Sequence, residues 1–402
     1  MQNNFFRKVL KNGMTLIFEK RELPVVSVAI AVRNGGINET AEEKGISHFI
    51  EHMLYKGTPT RDAKKIAEEI EKNGGELNGF TDESVTAYWC KMPSKHLNIA
   101  LEVLSDMVKN PLFDSKELEK ERKVIFEEIK MRKDNPRIYV LDQIHGQLYE
   151  KPFGIPLIGT EKTMNSIDRK KILEKFKNVY TPNNMILAIV GNADFDKIVE
   201  FAEKNFGKEK KEILKPKILI KNEIETQTRK GIDQANLVLA YHAPLISDKK
   251  VYASLVLNTL MGGGMSSRLF SEIREKRNLA YSVKGESNIN KDYSYNLVYV
   301  GTTKENVEPV KKLILQEFKK ASKDITEKEL NQVKEQLIGN YFISMEDSQV
   351  QLLNLLNCEV SESAEKFYEF EKNISLVKLA DVKAFAKKVG ESFSFFALTP
   401  KD

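Results

Sequence analysis

Cysteine and tryptophan are nearly missing from this chain of 402 residues, which holds two Cys and one Trp. Cys90 and Cys358 stand far apart and in no CxxC pattern, which excludes a disulfide framework or a thiolate metal site and predicts reduced, buried thiols. No run of 18 apolar residues occurs, so no transmembrane helix and no membrane partner is expected. The opening residues 1–8 lack the apolar core of a signal peptide and lead at once into a strand-like segment at 14–18, so the expected location is cytoplasmic. A dominant charge sign is missing too. The 63 Lys+Arg exceed the 58 Asp+Glu by only five, spread over mixed-sign helical stretches, which excludes a nucleic-acid footprint. With 21 Gly, 12 Pro, 41% hydrophobic and 30% charged residues, the composition is that of a folded protein with a sizeable core.

What is present begins with length, which exceeds the size at which one core keeps growing and predicts two domains of about 200 residues. Strand-like runs at 15–18, 25–32, 86–91 and 185–190 interleave with helical periods at 61–73, 95–109 and 115–133, an α+β pattern. The Lys-rich stretch 208–225, with Pro216 and no sustained helical period, predicts a linker at about 211–225 between domains 1–210 and 226–402. Beyond it the order of events repeats. A strand at 235–241, a polar loop, an apolar helix at 251–261 and the stop Gly262-Gly263-Gly264 follow the order of the strand at 25–32, its loop and the helix at 44–55. This predicts an internal duplication. The second helix carries no His or Glu, so the first half is expected to be catalytic and the second supportive.

The chemistry sits in His48-Phe49-Ile50-Glu51-His52. On a helix the i, i+4 spacing stacks the two imidazoles one turn apart, and the carboxylate at i+3 shares their face. Zinc favours imidazole nitrogen, and a catalytic site needs three protein ligands with a fourth position open, so Glu51 would act as base beside it. The plain alternative is two ordinary histidines near a helical Glu. His96, His145 and His242 sit in no comparable arrangement, which makes a carboxylate the expected third ligand. The helix at 115–133 opens with Asp114 three residues before Glu117, a capping pattern, and its apolar stripe is Leu118, Ile125 and Ile129. At about 100° per residue, Glu121 falls about 40° and Glu128 about 60° from Ile125, whereas Glu127 points away. A carboxylate beside an apolar stripe needs a partner. Zinc would be that partner for Glu128, with Glu121 in support; a boundary Glu reaching water is the alternative.

With these residues in hand, the chain resembles the M16 zinc metallopeptidases, the family of pitrilysin, insulin-degrading enzyme and the mitochondrial processing peptidase. The likeness spans nearly the whole length. His48 and His52 match the family's zinc histidines, Glu51 its catalytic base, Glu128 its third ligand and Glu121 its auxiliary acid. The segment Gly74–Thr81, with Asn78, Gly79 and Phe80, is similar to the family's edge strand that pairs with extended substrate, although Gly79 stands where Ala is usual and Val85 where His is usual. In the second half, residues 262–270 and 274–282 are similar to the non-catalytic repeat. Arg274 and Tyr281 match residues that reach the substrate, Tyr as oxyanion donor and Arg holding a carbonyl. Read alone, the first stretch is a helix stop and Arg274 an exposed cation. The resemblance implies the LuxS/MPP-like metallohydrolase fold, two homologous α+β domains with antiparallel-rich sheets covered by helices. It implies a zinc endopeptidase acting on unfolded peptides, working as a homodimer or with a homologous subunit. A specific processing peptidase and a non-catalytic core subunit are the family's other roles.

Overall fold

The computed structural model describes residues 4–212 and 216–401. Period-two alternation builds a first sheet from β1 (Phe5–Val9), β2 (Thr15–Lys20), β3 (Val25–Val32), β4 (Glu76–Thr81), β5 (Thr86–Pro93) and β6 (Met185–Gly191), in the order β1-β2-β6-β3-β5-β4. β2 and β6 run parallel and the other neighbours antiparallel. Along β3, Val26, Val28, Ile30 and Val32 join a core with Leu187 and Ile189 of β6. On that core pack α1 (Ile46–Leu54), α2 (Ala63–Glu71), α3 (Leu97–Lys109) and the first turns of α4 (Ser115–Asp134). Asp114 caps α4, accepting from the amides of Lys116 and Glu117 at 2.8 and 3.1 Å, as the capping pattern predicts.

The alternate positions of β3, Ser27, Ala29 and Ala31, turn to the opposite face of the sheet. Against β3 and β6 lies the helix Ser348–Ser361, which arrives from far along the chain. Its Glu359 is buried and accepts hydrogen bonds from Arg7 Nε at 2.8 Å, Arg33 Nη2 at 2.8 Å and the Ala364 amide at 3.0 Å. Strand β1 and the residue just past β3 are thereby tied to one helix.

The second sheet consists of β7 (Ile224–Arg229), β8 (Ala235–His242), β9 (Ala280–Ile289), β10 (Ser294–Thr302) and β11 (Ser394–Pro400), in the order β7-β11-β8-β10-β9. Its parallel pair is β7 and β11. Strand for strand it repeats β2-β6-β3-β5-β4, and the helix Val251–Gly262 follows β8 as α1 follows β3. This is the duplication that the order of sequence segments predicts. A separate core forms around Leu237, Leu239, Val298 and Val300 with that helix and the helices Val307–Asp324 and Leu379–Val389. The helix α5 (Pro136–Leu148) packs against β8 and β11.

The chain divides into two compact units that are not contiguous in sequence. The first takes the chain up to Ile129, Leu157–Pro216 and Ser344–Phe367; the second takes Lys130–Pro156, Lys217–Ile343 and the chain from Tyr368. Each sheet is therefore covered by one helix borrowed from the other half of the sequence. Of the stretch 211–225 read as a linker, residues 213–215 lie outside the described residues. Its later part is structured: Lys221 and Glu223 donate backbone hydrogen bonds to Leu148 and Gln147, Glu150 donates to Leu219, and Ile224 opens β7. Lys and Pro composition conceals this, because the pairing partner is the distant end of α5. Cys90 and Cys358 are free, the first buried and the second half-buried. Among the described residues no helix is long and apolar enough to cross a membrane.

Candidate metal centre

The helix α1 begins at Gly45, whose φ of 94° lies in the left-handed region, and a Cβ there would meet the Ile158 carbonyl oxygen at 2.6 Å. Glycine is required. The carboxylate of Glu39 replaces a side-chain cap, accepting from the amides of Gly45 at 2.9 Å and Ser47 at 2.7 Å. Burial pushes the Glu39 carboxyl above its usual range, while Lys44 and the two amides pull it down. Lys44 is itself fully buried, donating to the Gly36 carbonyl at 2.7 Å with Glu83 at 3.8 Å. The apolar face Ile46, Phe49, Ile50, Met53 and Leu54 locks α1 onto the core, so His48, Glu51 and His52 emerge half-buried on the other side.

There the structure brings His48, His52 and Glu128 together, their ligand atoms all within 4.8 Å of one another. Glu128 Oε2 lies 3.5 Å from His48 Nε2 and 3.7 Å from His52 Nε2. Tetrahedral bonds of about 2.0–2.2 Å would set ligand atoms about 3.3–3.6 Å apart, so the group fits a four-coordinate cation of the zinc type with one position open. Both histidines present Nε2 to Glu128 Oε2. The other nitrogen of His52, Nδ1, faces Glu121 Oε2 at 3.1 Å, and Glu121 Oε1 meets Lys56 Nζ at 2.7 Å. Glu121 is buried and Glu127 exposed, as the angular positions on α4 predict.

Glu51 Oε2 accepts a 2.6 Å hydrogen bond from Thr81 Oγ1, at the end of β4. Burial pushes the Glu51 carboxyl up, and the Thr81 bond opposes that shift. A Cβ on Gly79 would stand 2.5 Å from Tyr55 Oη and 2.9 Å from the Ala87 carbonyl oxygen, which explains glycine at this position. Asn78, Gly79 and Phe80 pair with Trp89, Tyr88 and Ala87 of β5, and β4 is the sheet's outer strand. Asn78 is exposed and its Oδ1 accepts from the Gly79 amide at 2.8 Å.

Arg274 and Tyr281 belong to the second unit. Arg274 lies in a π-helical turn, Phe270–Glu275, a wide turn that recurs at functional sites. Its guanidinium stacks between the rings of Phe270 at 4.9 Å and Tyr281 at 5.1 Å, and Tyr281 is 79% exposed. The gathered site holds three residues that sequence reasoning missed: Thr81, Lys56 and Glu39. Lys56 carried a signal, four residues after His52 on the same helical line; Thr81 and Glu39 carried none, since their partners come from other elements.

Residues 15–161 match the family described as Insulinase (Peptidase family M16), and residues 166–337 the one described as Peptidase M16 inactive domain. The chain is 35% identical over 348 residues to the uncharacterized zinc protease YmxG of Bacillus subtilis, covering 85% of each. It is 34% identical over 353 residues to an uncharacterized zinc protease of Rickettsia felis, covering 86% of this chain and 85% of that one. The fold is shared with a protease from Helicobacter pylori, whose crystal structure gives a TM-score of 0.92 at 24% identity over 98% of this chain and 99% of that one. A structure titled peptidase M16 inactive domain, from Pseudomonas fluorescens, gives 0.88 at 21% identity over 99% and 98%. With relatives above 30% identity along most of both sequences, and the match running through the helix that carries the metal group, the chain belongs to the M16 family of peptidases.

Proposed function

We propose that the chain is a zinc-dependent endopeptidase acting on unfolded peptides, with His48, His52 and Glu128 as ligands and Glu51 as general base. The observation that carries this reading is the convergence of two imidazole Nε2 atoms and one carboxylate oxygen beside a buried carboxylate held by Thr81. Zinc held by these three side chains would supply Lewis acidity, polarising the scissile carbonyl and acidifying water. Glu51 takes the proton from the attacking water and passes it to the leaving amine nitrogen. Thr81 keeps the Glu51 carboxylate turned toward its task, and burial makes it a better base. The outer edge of β4 pairs with the main chain of an extended substrate, so binding reads backbone before side chains. For Arg274 and Tyr281 a substrate-facing role rests on the resemblance and, for Tyr281, on its exposure. The resemblance implies a second subunit, and the intact metal group in every copy favours a homodimer over pairing with a homologous partner.

The test is hydrolysis of an unstructured quenched-fluorescence peptide by zinc-loaded wild type beside Glu51→Gln. The substitution is expected to lower kcat by roughly 10²–10⁴-fold while zinc stays bound. Equal activity in both proteins sinks the assignment of Glu51, and zinc-loaded wild type without activity favours a non-catalytic core subunit.

A further inference from the structure

The carboxylate of Glu121 spans two side chains of α1 that are one turn apart, His52 and, just past the helix end, Lys56. Its two oxygens are divided between them: Oε2 faces His52 Nδ1 at 3.1 Å and Oε1 meets Lys56 Nζ at 2.7 Å. The Lys56 side chain is 28% exposed and that of Glu121 9%, so the contact is partly shielded from water. A carboxylate bound at one oxygen can still turn about its last torsion, which is broad and nearly two-fold. Held at both oxygens, it has one orientation. Its free end then accepts from Nδ1–H of His52, which fixes the imidazole in the tautomer that offers Nε2 to Glu128 and the ligand point.

We infer that Lys56 is a positioning residue for the metal centre: through Glu121 it orients His52 and thereby sets zinc affinity. This rests on the zinc reading proposed above. Lys56 touches neither the ligand atoms nor Glu51, so its effect reaches the site through one carboxylate. A bland account competes: a cation just beyond the C-terminus of α1 favours the helix whatever it touches. The two accounts differ in how Lys56 and Glu121 combine, because residues acting through one contact give non-additive effects.

The experiment measures zinc affinity by competition with a chromophoric chelator for wild type, Lys56→Met, Lys56→Arg, Glu121→Gln and the double variant, with apo-protein melting recorded for each. Lys56→Met is expected to weaken zinc about tenfold, the lower end of what partners of ligating histidines contribute. Lys56→Arg should retain most of the affinity, and the double variant should bind no more weakly than Glu121→Gln alone. In the ¹⁵N spectrum of His52, wild type should show one tautomer and Lys56→Met a mixture. An affinity within twofold of wild type for Lys56→Met overturns the inference, as do additive effects in the double variant. A wild type that binds no zinc overturns the zinc reading and this inference with it, whereas tight binding unaffected by Lys56→Met overturns the inference alone. Lys56 is not in the core, and equal apo melting in Lys56→Met and Lys56→Arg keeps the comparison valid.

Discussion

The helix α1 and the helix Val251–Gly262 hold the same place in two sheets of the same strand order, yet they use their polar residues in opposite ways. α1 buries an apolar stripe and leaves His48, Glu51 and His52 half-exposed. In the second helix nine of twelve residues are buried, Ser254 and Asn258 among them, so its polar groups must be satisfied inside. Asn258 Nδ2 donates to the Glu286 carbonyl at 2.8 Å and to Ser287 Oγ at 3.0 Å, both on β9. The space between helix and outer strand differs as well. In the second unit Gly262 lies against Gly285, where a Cβ on Gly262 would come within 2.7 Å of the Gly285 amide nitrogen. In the first unit the same interval is bridged by side chains, Glu51 to Thr81 at 2.6 Å. A duplicated scaffold thus becomes a support where glycine closes the helix onto the strand, and a site where the Glu51 carboxylate bridges helix and strand through Thr81.

This contrast is sharpest in metal content. His52→Ala should lose its zinc on dialysis, from one ion per chain to near none by elemental analysis, while Asn258→Ala, at the corresponding helix, should keep it. Zinc loss in both would break the comparison. The two borrowed helices differ in kind too. Ser348–Ser361 is fastened by the buried Glu359 with Arg7 and Arg33, α5 by neutral bonds such as Tyr139 Oη to Gln227 Oε1 at 2.9 Å. Glu359→Ala, which leaves two arginines without their shared acid, should destabilise the first unit by about 3–5 kcal/mol in urea unfolding. Gly262→Ala should cost about 1–3 kcal/mol by forcing the second helix off β9, with no change in zinc affinity. Smallest is Tyr139→Phe, about 1 kcal/mol for a neutral hydrogen bond. An ordering in which Tyr139 outweighs Glu359 would mean that the ionic fastening adds little.

Much of this was readable from the chain. The strands at 25–32, 86–91, 185–190 and 235–241 and the helices at 95–109 and 115–133 reappear within about two residues, since their periods of 2 and 3.6 reflect one-sided burial. Glu121 and Glu128 could be placed on one side of α4, and Glu127 on the other, from the angle per residue alone. Harder to read was the linker, because residues 219–223 are held by the far end of α5. The exchange of α5 and Ser348–Ser361 between units left no local mark either: an apolar face is legible in sequence, but the sheet it will cover is not.

The sequence by itself determined the spacing of His48, Glu51 and His52, the side of α4 that bears Glu121 and Glu128, and the repetition of a strand–helix order without the metal residues in the second half. These follow from helical and strand geometry, which acts over a few residues. Tertiary structure alone decided that Glu128 Oε2 lies 3.5 and 3.7 Å from the two histidines, that Thr81 holds Glu51, and that Glu121 is shared between His52 and Lys56. Those contacts join separate elements, and only the packing of α1 against α4 and β4 fixes their distances.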